Sequence, residues 1–320
     1  MVVATLLRDK HVSFIHRLYE LPPTSLESLM TQHIRINGIY WALIALHLLD
    51  KPNLLPRGQL IEEIKACRHS SGGYGSAPGH DPHVVCTLHA IQILTLVEAI
   101  DEIDVAGTVA WIASLQVPSG AVRGDKWGEI DMRINYAATQ ALALVHRLDA
   151  LDTHALQRYV LGCRNFDGGF GMVPGGESHA AHAFTSLGTL SLLARHHGTT
   201  LPTLVDVDQV AWWLSLRQVK SGGLNGRPEK LEDVCYSWYV LSSLAMLGRT
   251  AWIDRDRLRR FILSAQEEEH GGLSDRPGDV ADIHHTCFGL TGLSLIGKDG
   301  LAEIDPRYCM PLAVTKKLGL

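Results

Sequence analysis

The 320-residue sequence has no run of about 18 uninterrupted apolar residues, the length that a membrane-spanning helix needs. Its first residues, MVVATLLRDKHVSF, also lack the long apolar segment and the small-residue cleavage site of a secretory signal. The last residues, TKKLGL, contain no prenylation motif. These absences predict a chain without a membrane span that works in the cytoplasm.

An excess of positive charge is also missing. The 29 Lys and Arg residues are offset by 34 Asp and Glu residues, which gives a formal net charge of −5. General attraction to nucleic acid or to an anionic membrane requires a basic surface. We therefore expect no nucleic-acid partner, and any site for an anion must be local.

Closely spaced cysteine pairs are absent as well. In a chain without a secretory signal, scattered cysteines are expected to be reduced thiols, mostly in the core, any of which could ligate a metal. The six cysteines are Cys67, Cys86, Cys163, Cys235, Cys287 and Cys309.

Five similar glycine-containing segments divide the sequence at a nearly even period. They are SSGGYGS from Ser70, VPSGAVRG from Val117, NFDGGFGM from Asn165, VKSGGLNG from Val219 and EEHGGLSD from Glu268. Their first glycines lie 48, 48, 54 and 49 residues apart. Periods of this length are typical of helical repeats.

Two kinds of helix are predicted to alternate around these glycines. An amphipathic helix, such as DRLRRFILSAQ from Asp256, comes before each glycine segment, and glycine ends it by adopting a left-handed conformation. A nearly uncharged helix follows, such as AAHAFTSLGTLSLLARH from Ala180. A helix that is apolar on all sides is buried on all sides, whereas a helix with a single apolar stripe exposes its other face to solvent. With INGIYWALIALHLL from Ile36 as a further inner helix, the pattern predicts an all-α fold, an α/α barrel of six helical hairpins; an open solenoid is the alternative.

Potential metal ligands occur at the start of two successive inner helices. Asp233 and Cys235 begin the fourth repeat's inner helix, and His284 and His285 occupy the matching place in the next repeat. One carboxylate, one thiolate and one imidazole would make a three-ligand zinc site with an open position. The alternative is a capping aspartate beside a core cysteine. By comparison, His80 and His83 are expected in a solvated loop, and Cys287 in the core.

Potential cations lie beside this cluster. Arg227 and Lys230 precede Asp233, and His179 occupies the equivalent point of the third repeat. Aromatic residues of the fourth repeat's inner helix follow at Tyr236, Trp238 and Tyr239. A cationic rim above an apolar cavity suits a ligand with an anionic head and a long apolar tail, such as an isoprenoid diphosphate. The alternative is an ordinary solvated charged surface.

The segments GLNGRPEKLEDVCYSW, NFDGGFG, GESHA and WGEIDMR resemble the β subunits of protein prenyltransferases, over essentially the whole chain. Within that family NGIYWAL, SDRPGD and the closing YCMP are most similar to the Rab (type II) geranylgeranyltransferases. The resemblance implies one prenyltransferase β-subunit domain over residues 1–320. It also implies transfer of a geranylgeranyl group to C-terminal cysteine thiolates of Rab-like GTPases.

The resemblance assigns roles to individual residues. The zinc ligands, one zinc per subunit, are implied to be Asp233, Cys235 and His285. Residues around the diphosphate are implied to be His179, Ala180, Ala181, Arg227, Lys230 and Tyr236. Residues along the lipid tunnel are implied to be Trp238, Tyr239, Asn37 and Leu88, the last two at the tunnel floor, where farnesyl-specific relatives carry bulky aromatic residues. Asp275 is a candidate for placing magnesium on the diphosphate.

Partners follow from the same resemblance. They are a helical-repeat α subunit in a heterodimer, and a Rab GTPase presented by an escort protein. The alternatives are a farnesyl or type I geranylgeranyl transferase β subunit, and a class II terpene cyclase. A class II cyclase needs a DxDD proton donor, and the nearest run, DVDQ from Asp206, departs from it.

Overall fold

The computed structural model describes residues 5–320, in which fourteen α-helices and one short β-hairpin are found. Six helices form an inner ring: α3 (Arg35–Leu48), α5 (Val84–Leu96), α7 (Met132–Leu144), α9 (Ala180–His196), α11 (Tyr236–Met246) and α13 (Ile283–Leu295). Six form an outer ring: α1 (Arg8–Tyr19), α4 (Arg57–Ala66), α6 (Val105–Ser114), α8 (Thr153–Gly162), α10 (Val207–Ser215) and α12 (Arg255–Ser264). The remaining elements are α2 (Leu26–Thr31), β1 (Ile304–Asp305), β2 (Met310–Pro311) and α14 (Leu312–Lys317).

The inner ring is closed. Each inner helix packs against the next one along the chain, and α13 packs back against α3. The outer ring also meets itself, because the Gly272 backbone N–H donates to His11 Nδ1 on α1 at 2.9 Å. The predicted α/α barrel of six hairpins is therefore confirmed, and the open solenoid is excluded.

The glycine segments turn the chain from each outer helix toward the next inner helix. The five first glycines all have left-handed φ angles, between 79° and 103°: Gly72, Gly120, Gly168, Gly222 and Gly271. Aspartates begin four outer helices, where each side chain accepts a hydrogen bond from a first-turn N–H, as expected for N-caps. They are Asp104 on α6, Asp152 on α8, Asp206 on α10 and Asp254 on α12.

The two ends of the barrel differ. We call the end where the inner helices begin the mouth, and the opposite end the floor. At the mouth, a backbone N–H at the start of each of five inner helices donates a hydrogen bond to a loop carbonyl of the next repeat, and we call this contact a seam. The five seams are Ile36 N to Ser76 O, Val84 N to Gly124 O, Met132 N to Met172 O, Ala180 N to Gly226 O and Val234 N to Asp275 O, at 2.8–3.2 Å.

The floor is closed by the β1–β2 hairpin, which the sequence pattern does not indicate. Tyr40 and Tyr136 on the inner helices α3 and α7 donate from their hydroxyls to the carbonyls of Cys309 and Arg307. All six cysteines are free and buried, as predicted.

Candidate metal and anion site

A group of potential metal ligands lies at the mouth, between the starts of α11 and α13. Ligand atoms of Cys235, His284 and His285 all lie within 4.8 Å of one another, and we call these residues the metal cluster. Asp233 Oδ1 lies 3.3 Å from His285 Nε2. Two ligands bound tetrahedrally to one zinc are about 3.3–3.5 Å apart, given metal–ligand bonds of about 2.0–2.2 Å. The separation between Asp233 and His285 therefore fits a shared zinc ion.

His285 is held on both sides of its ring. Its Nδ1 lies 2.5 Å from Asp282 Oδ2, and its Nε2 faces Asp233. Burial opposes a charge on this ring, but hydrogen bonds with Asp233 and Asp282 outweigh it and raise the pKa of His285 to about 10. A metal at this position would therefore compete with a proton.

Asp233 and Cys235 are positioned by the first turn of α11. Asp233 Oδ1 accepts from the Cys235 backbone N–H at 2.7 Å, so the predicted capping role and the ligand role coexist. Burial works to raise the pKa of Asp233, but bonds from His285 and Cys235 lower it overall. Burial, followed by the Asp233 carboxylate, raises the pKa of the Cys235 thiol well above its ordinary value. Because thiolate is the metal-binding form, a cation would be needed to hold the sulfur deprotonated here.

The donor set has members that the sequence analysis did not select. His284 belongs to the metal cluster, although the resemblance favours His285, and its ring packs 4.8 Å from that of Trp41. Asp282 caps α13 and orients His285. The only signal for Asp282 was an aspartate three residues before the histidine, which is common at helix starts.

A cationic pocket adjoins the metal cluster, and Asp233 lines it. We call it the anion pocket: it has a volume of about 450 Å³ and is lined by His179, Gly226, Arg227, Lys230, Leu231, Asp233, Tyr236 and Arg276. The structure thus brings together the predicted residues His179, Arg227 and Lys230 and adds Arg276. Arg227 Nη1 pairs with Glu177 Oε2 at 2.6 Å, and Arg276 Nη2 pairs with Asp275 Oδ2 at 2.8 Å. A bound anion could replace these two carboxylates and pair with both guanidinium groups.

His179 acts in the pocket as a neutral donor rather than a cation. Burial, and then the nearby charge of Arg227, lower the pKa of His179. Its Nδ1 accepts from the Ala181 backbone N–H at 3.2 Å, which leaves the ring proton on Nε2. That Nε2 lies 3.3 Å from the Tyr236 hydroxyl, whose pKa burial raises to about 12. Both groups can therefore donate hydrogen bonds to an anion at neutral pH.

Gly226 permits this arrangement. A Cβ on Gly226 would lie 2.5 Å from the Tyr236 hydroxyl oxygen and 2.7 Å from His179 Nε2. Its carbonyl also accepts from the backbone N–H of Ala180, one of the residues implied to lie near the diphosphate. The loop can approach α9 and α11 this closely because residue 226 has no side chain.

An apolar cavity of about 960 Å³ runs down the barrel from the mouth, with His284 of the metal cluster in its wall. Its lining includes Trp41, Leu88, Tyr136, Phe184, Trp238 and Phe288. The predicted tunnel residues Asn37 and Tyr239 line it too. Ala181, which was predicted beside the diphosphate, lines this cavity rather than the anion pocket. His80 and His83 lie in the loop before α5, as predicted, and are partly exposed. Both also line the cavity, and His83 caps α5 by accepting from the Val85 N–H at 3.1 Å.

Other features limit the possible chemistry. The acidic run from Asp206 begins the outer helix α10, and Asp206 caps it, so this run lies away from the mouth. The proton-donor position of a class II cyclase is therefore not reproduced there.

Among residues 5–320, no helix combines the length and apolar character that crossing a membrane requires.

The chain is similar to known proteins over nearly its whole length. Residues 6–310 match the family described as the prenyltransferase alpha-alpha toroid domain. The geranylgeranyl transferase type-2 subunit beta of Saccharomyces cerevisiae is 44% identical over 319 residues, covering 98% of this chain and 96% of the yeast protein. The type-2 subunit beta 1 of Arabidopsis thaliana is 45% identical, covering 98% of this chain and 95% of the plant protein.

The fold also matches a solved structure. The protein geranylgeranyltransferase-I of Candida albicans, complexed with GGPP, superimposes with a TM-score of 0.87 over 98% of each chain. At 24% sequence identity this match supports the fold alone. The type-2 subunits are thus considerably more similar in sequence than this type-I structure.

Proposed function

Because the chain belongs to the prenyltransferase alpha-alpha toroid family, we propose that it is the catalytic β subunit of a type-2 geranylgeranyl transferase. The reaction would transfer a geranylgeranyl group from its diphosphate to C-terminal cysteine thiols of Rab-like GTPases. The observation that carries the proposal is one shared mouth, at which Asp233 beside the metal cluster lines the anion pocket and His284 of the cluster lines the apolar cavity. Near-full-length identity of 44–45% to type-2 β subunits supports this type over type I or farnesyl transfer.

The anion pocket suits the diphosphate. As the bond between C1 of the lipid and the diphosphate oxygen breaks, negative charge grows on the leaving group. Arg227, Lys230 and Arg276 would meet that charge, and His179 Nε2 and the Tyr236 hydroxyl would donate hydrogen bonds to it. Donors fixed in place before the reaction stabilise such charge most, with one donor typically worth about 3 kcal/mol.

Asp233, Cys235 and His285 would hold zinc, and His284 is close enough to join or replace one of them. Bound there, zinc supplies a Lewis acid that lowers the pKa of a coordinated thiol. The chain's own part is to present the three donors on two neighbouring helix starts, with Asp282 fixing the ring of His285. Magnesium at Asp275 stays a prediction, and it would have to displace Arg276 from that carboxylate.

The apolar cavity would hold the lipid tail. Its aromatic wall excludes water, which would otherwise compete with the thiolate for the allylic carbon. The acceptor cysteine would enter from the mouth, on the side of the metal cluster. We further propose that the chain, a single domain, works with an α subunit in the cytoplasm on a Rab GTPase presented by an escort protein.

The proposal is tested by comparing metal content and transfer in the chain co-produced with a prenyltransferase α subunit. Wild-type protein is expected to carry one zinc and to transfer geranylgeranyl to a peptide or GTPase with C-terminal cysteines. Cys235→Ala should lose most zinc and transfer while keeping its helical content. Cys163→Ala, which removes an equally buried thiol on the outer ring, should keep both.

A second variant separates the metal from the anion pocket. Arg227→Ala should keep zinc but lower the transfer rate about a hundred- to a thousandfold, since it removes one charge-stabilising donor. Full zinc stoichiometry in Cys235→Ala, or normal turnover in Arg227→Ala, would refute the corresponding role.

A further inference from the structure

We propose that the β1–β2 hairpin is the floor of the lipid cavity and that Cys309 on it sets the length of tail the cavity accepts. This inference rests on the proposed function, because it assumes that the cavity holds an isoprenoid. It concerns a segment outside the repeats, with no equivalent in any hairpin of the barrel. The evidence is the uneven depth of the cavity and the way the hairpin is held.

The cavity is deep on one side only. All inner helices run from mouth to floor, so position along a helix measures depth. On α11 the lowest lining residue is Tyr239, the fourth residue of the helix, whereas on α5 and α7 the lining continues to Gln92 and Gln140, the ninth of each. At about 1.5 Å per residue, the deep side ends about 12 Å below the helix starts. A long tail would therefore extend along α5 and α7.

The deep side ends against the hairpin. Cys309 lines the cavity, and the carbonyl of the preceding residue, Tyr308, accepts from both Gln92 Nε2 and Gln140 Nε2, at 3.2 and 2.5 Å. The Cys309 carbonyl accepts from the Tyr40 hydroxyl at 2.7 Å. Side chains from three inner helices thus fix the height of the floor.

The hairpin is also rigid within itself. Asp305 is 1% exposed and its carboxylate accepts from the Arg307 backbone N–H at 2.8 Å and from Thr315 Oγ1 at 3.1 Å. The Arg307 guanidinium pairs with the same carboxylate at 3.0 Å. Because a buried carboxylate with all these partners is costly to disturb, the floor cannot easily yield to a longer tail.

Cys309 lies deeper in the cavity than Leu88, which the resemblance implied to be at the tunnel floor. Leu88 lies four residues before Gln92 on α5, which places it about 6 Å nearer the mouth. A larger side chain at Leu88 would narrow the wall beside a passing tail. A larger side chain at Cys309 would instead shorten the space in which the tail ends.

The test compares transfer from the fifteen-, twenty- and twenty-five-carbon diphosphates in competition, using the full chain with an α subunit. Cys309→Phe should lower the twenty- to fifteen-carbon ratio about tenfold or more, because the last isoprene unit loses its buried position. Cys309→Gly should raise the twenty-five- to twenty-carbon ratio about threefold or more. Glycine also suits the left-handed backbone at this position, where φ is 50°, so this variant should fold.

Cys163→Ala serves as the control, since it removes a buried thiol far from the cavity and should leave both ratios unchanged. If wild-type protein transfers none of the three lipids, the proposed function fails. The role of the hairpin is overturned if wild-type protein transfers the twenty-carbon lipid and the folded Cys309 variants show the same two lipid ratios as wild type. Should Cys309→Phe not fold, an unchanged twenty-five- to twenty-carbon ratio in Cys309→Gly overturns it alone.

Discussion

Asp282 connects the start of α13 to the imidazole of His285 through both carboxylate oxygens. Its Oδ1 accepts from the His285 backbone N–H at 2.9 Å, and its Oδ2 lies 2.5 Å from His285 Nδ1. The second contact keeps a proton on Nδ1, so Nε2 is the nitrogen that would bind a metal in place of its own proton. Such outer partners orient a histidine ligand and raise its basicity.

Asp282→Asn should weaken zinc binding about 10- to 100-fold. Asparagine keeps an oxygen for the backbone cap, but the atom facing His285 Nδ1 becomes an amide nitrogen, which cannot accept the Nδ1 proton. The dissociation constant for zinc, measured by competition with a chelator, checks this expectation.

Asp254→Asn is the matched control, because Asp254 caps the outer helix α12 through the Arg257 N–H at 3.0 Å. It should leave zinc affinity at the wild-type value. Equal zinc affinity in Asp282→Asn and wild type would mean that Asp282 serves only as a cap.

At this scale the sequence predicted part of the site. Asp233, Cys235 and His285 could be related because their places in successive repeats fix which helix starts are neighbours. Asp282 and Arg276 could not be selected, since an aspartate before a helix and an arginine in a polar loop are ordinary features. Their roles depend on side-chain directions across a loop.

Among the elements, the turn after each outer helix depends on a glycine pressed against the next repeat. Gly120 has φ of 93°, and a Cβ there would overlap the backbone carbonyl of Ala155 on α8. Two constraints thus apply to one residue: a left-handed backbone and a close contact between repeats.

Gly120→Ala should lower the free energy of unfolding by about 1–3 kcal/mol, because alanine is strained at this φ and its methyl group displaces α8. Urea denaturation followed by circular dichroism measures this change.

Gly58→Ala is the comparison, because Gly58 lies on the outer helix α4 with nothing within 4 Å of an added Cβ. That variant should be neutral or slightly more stable, since alanine favours a helix over glycine. A Gly120→Ala protein as stable as Gly58→Ala would show that the turn adapts without strain.

Helix types were predictable where periodicity was strong. The nearly uncharged segment predicted as a helix coincides with α9, Ala180–His196, because it follows a polar residue, His179, and ends in Arg195 and His196. The β1–β2 hairpin was not predicted, because strands of two residues leave no periodic signal. Its position is decided by distant partners on α3, α5 and α7.

For the whole molecule, the ring closes without a covalent bond where the last outer turn meets α1. His11 is fully buried; its Nδ1 accepts from the Gly272 N–H, and its Nε2 lies 3.0 Å from Gln266 Oε1. This residue was not singled out from the sequence, because the contact joins segments about 260 residues apart.

His11→Ala should destabilise the fold by about 2–4 kcal/mol, since it leaves a buried N–H unpaired and opens a cavity. The effect should be local to the closure, so hydrogen exchange should rise most in α1, α12 and α13. His16→Ala, on the same helix but with a partly exposed ring, should change neither stability nor exchange appreciably. Uniform exchange changes throughout the barrel would contradict a local closure.

The five seams at the mouth link the loops around most of the circumference. The loop that carries Arg227 rests on α9 through Gly226, and the loop that carries Arg276 rests on α11 through Asp275. The positions of Arg227 and Arg276 therefore depend on a neighbouring repeat as well as on their own. A change in the tilt of one hairpin would therefore misalign the metal cluster and the anion pocket, so their alignment at the mouth depends on the whole ring.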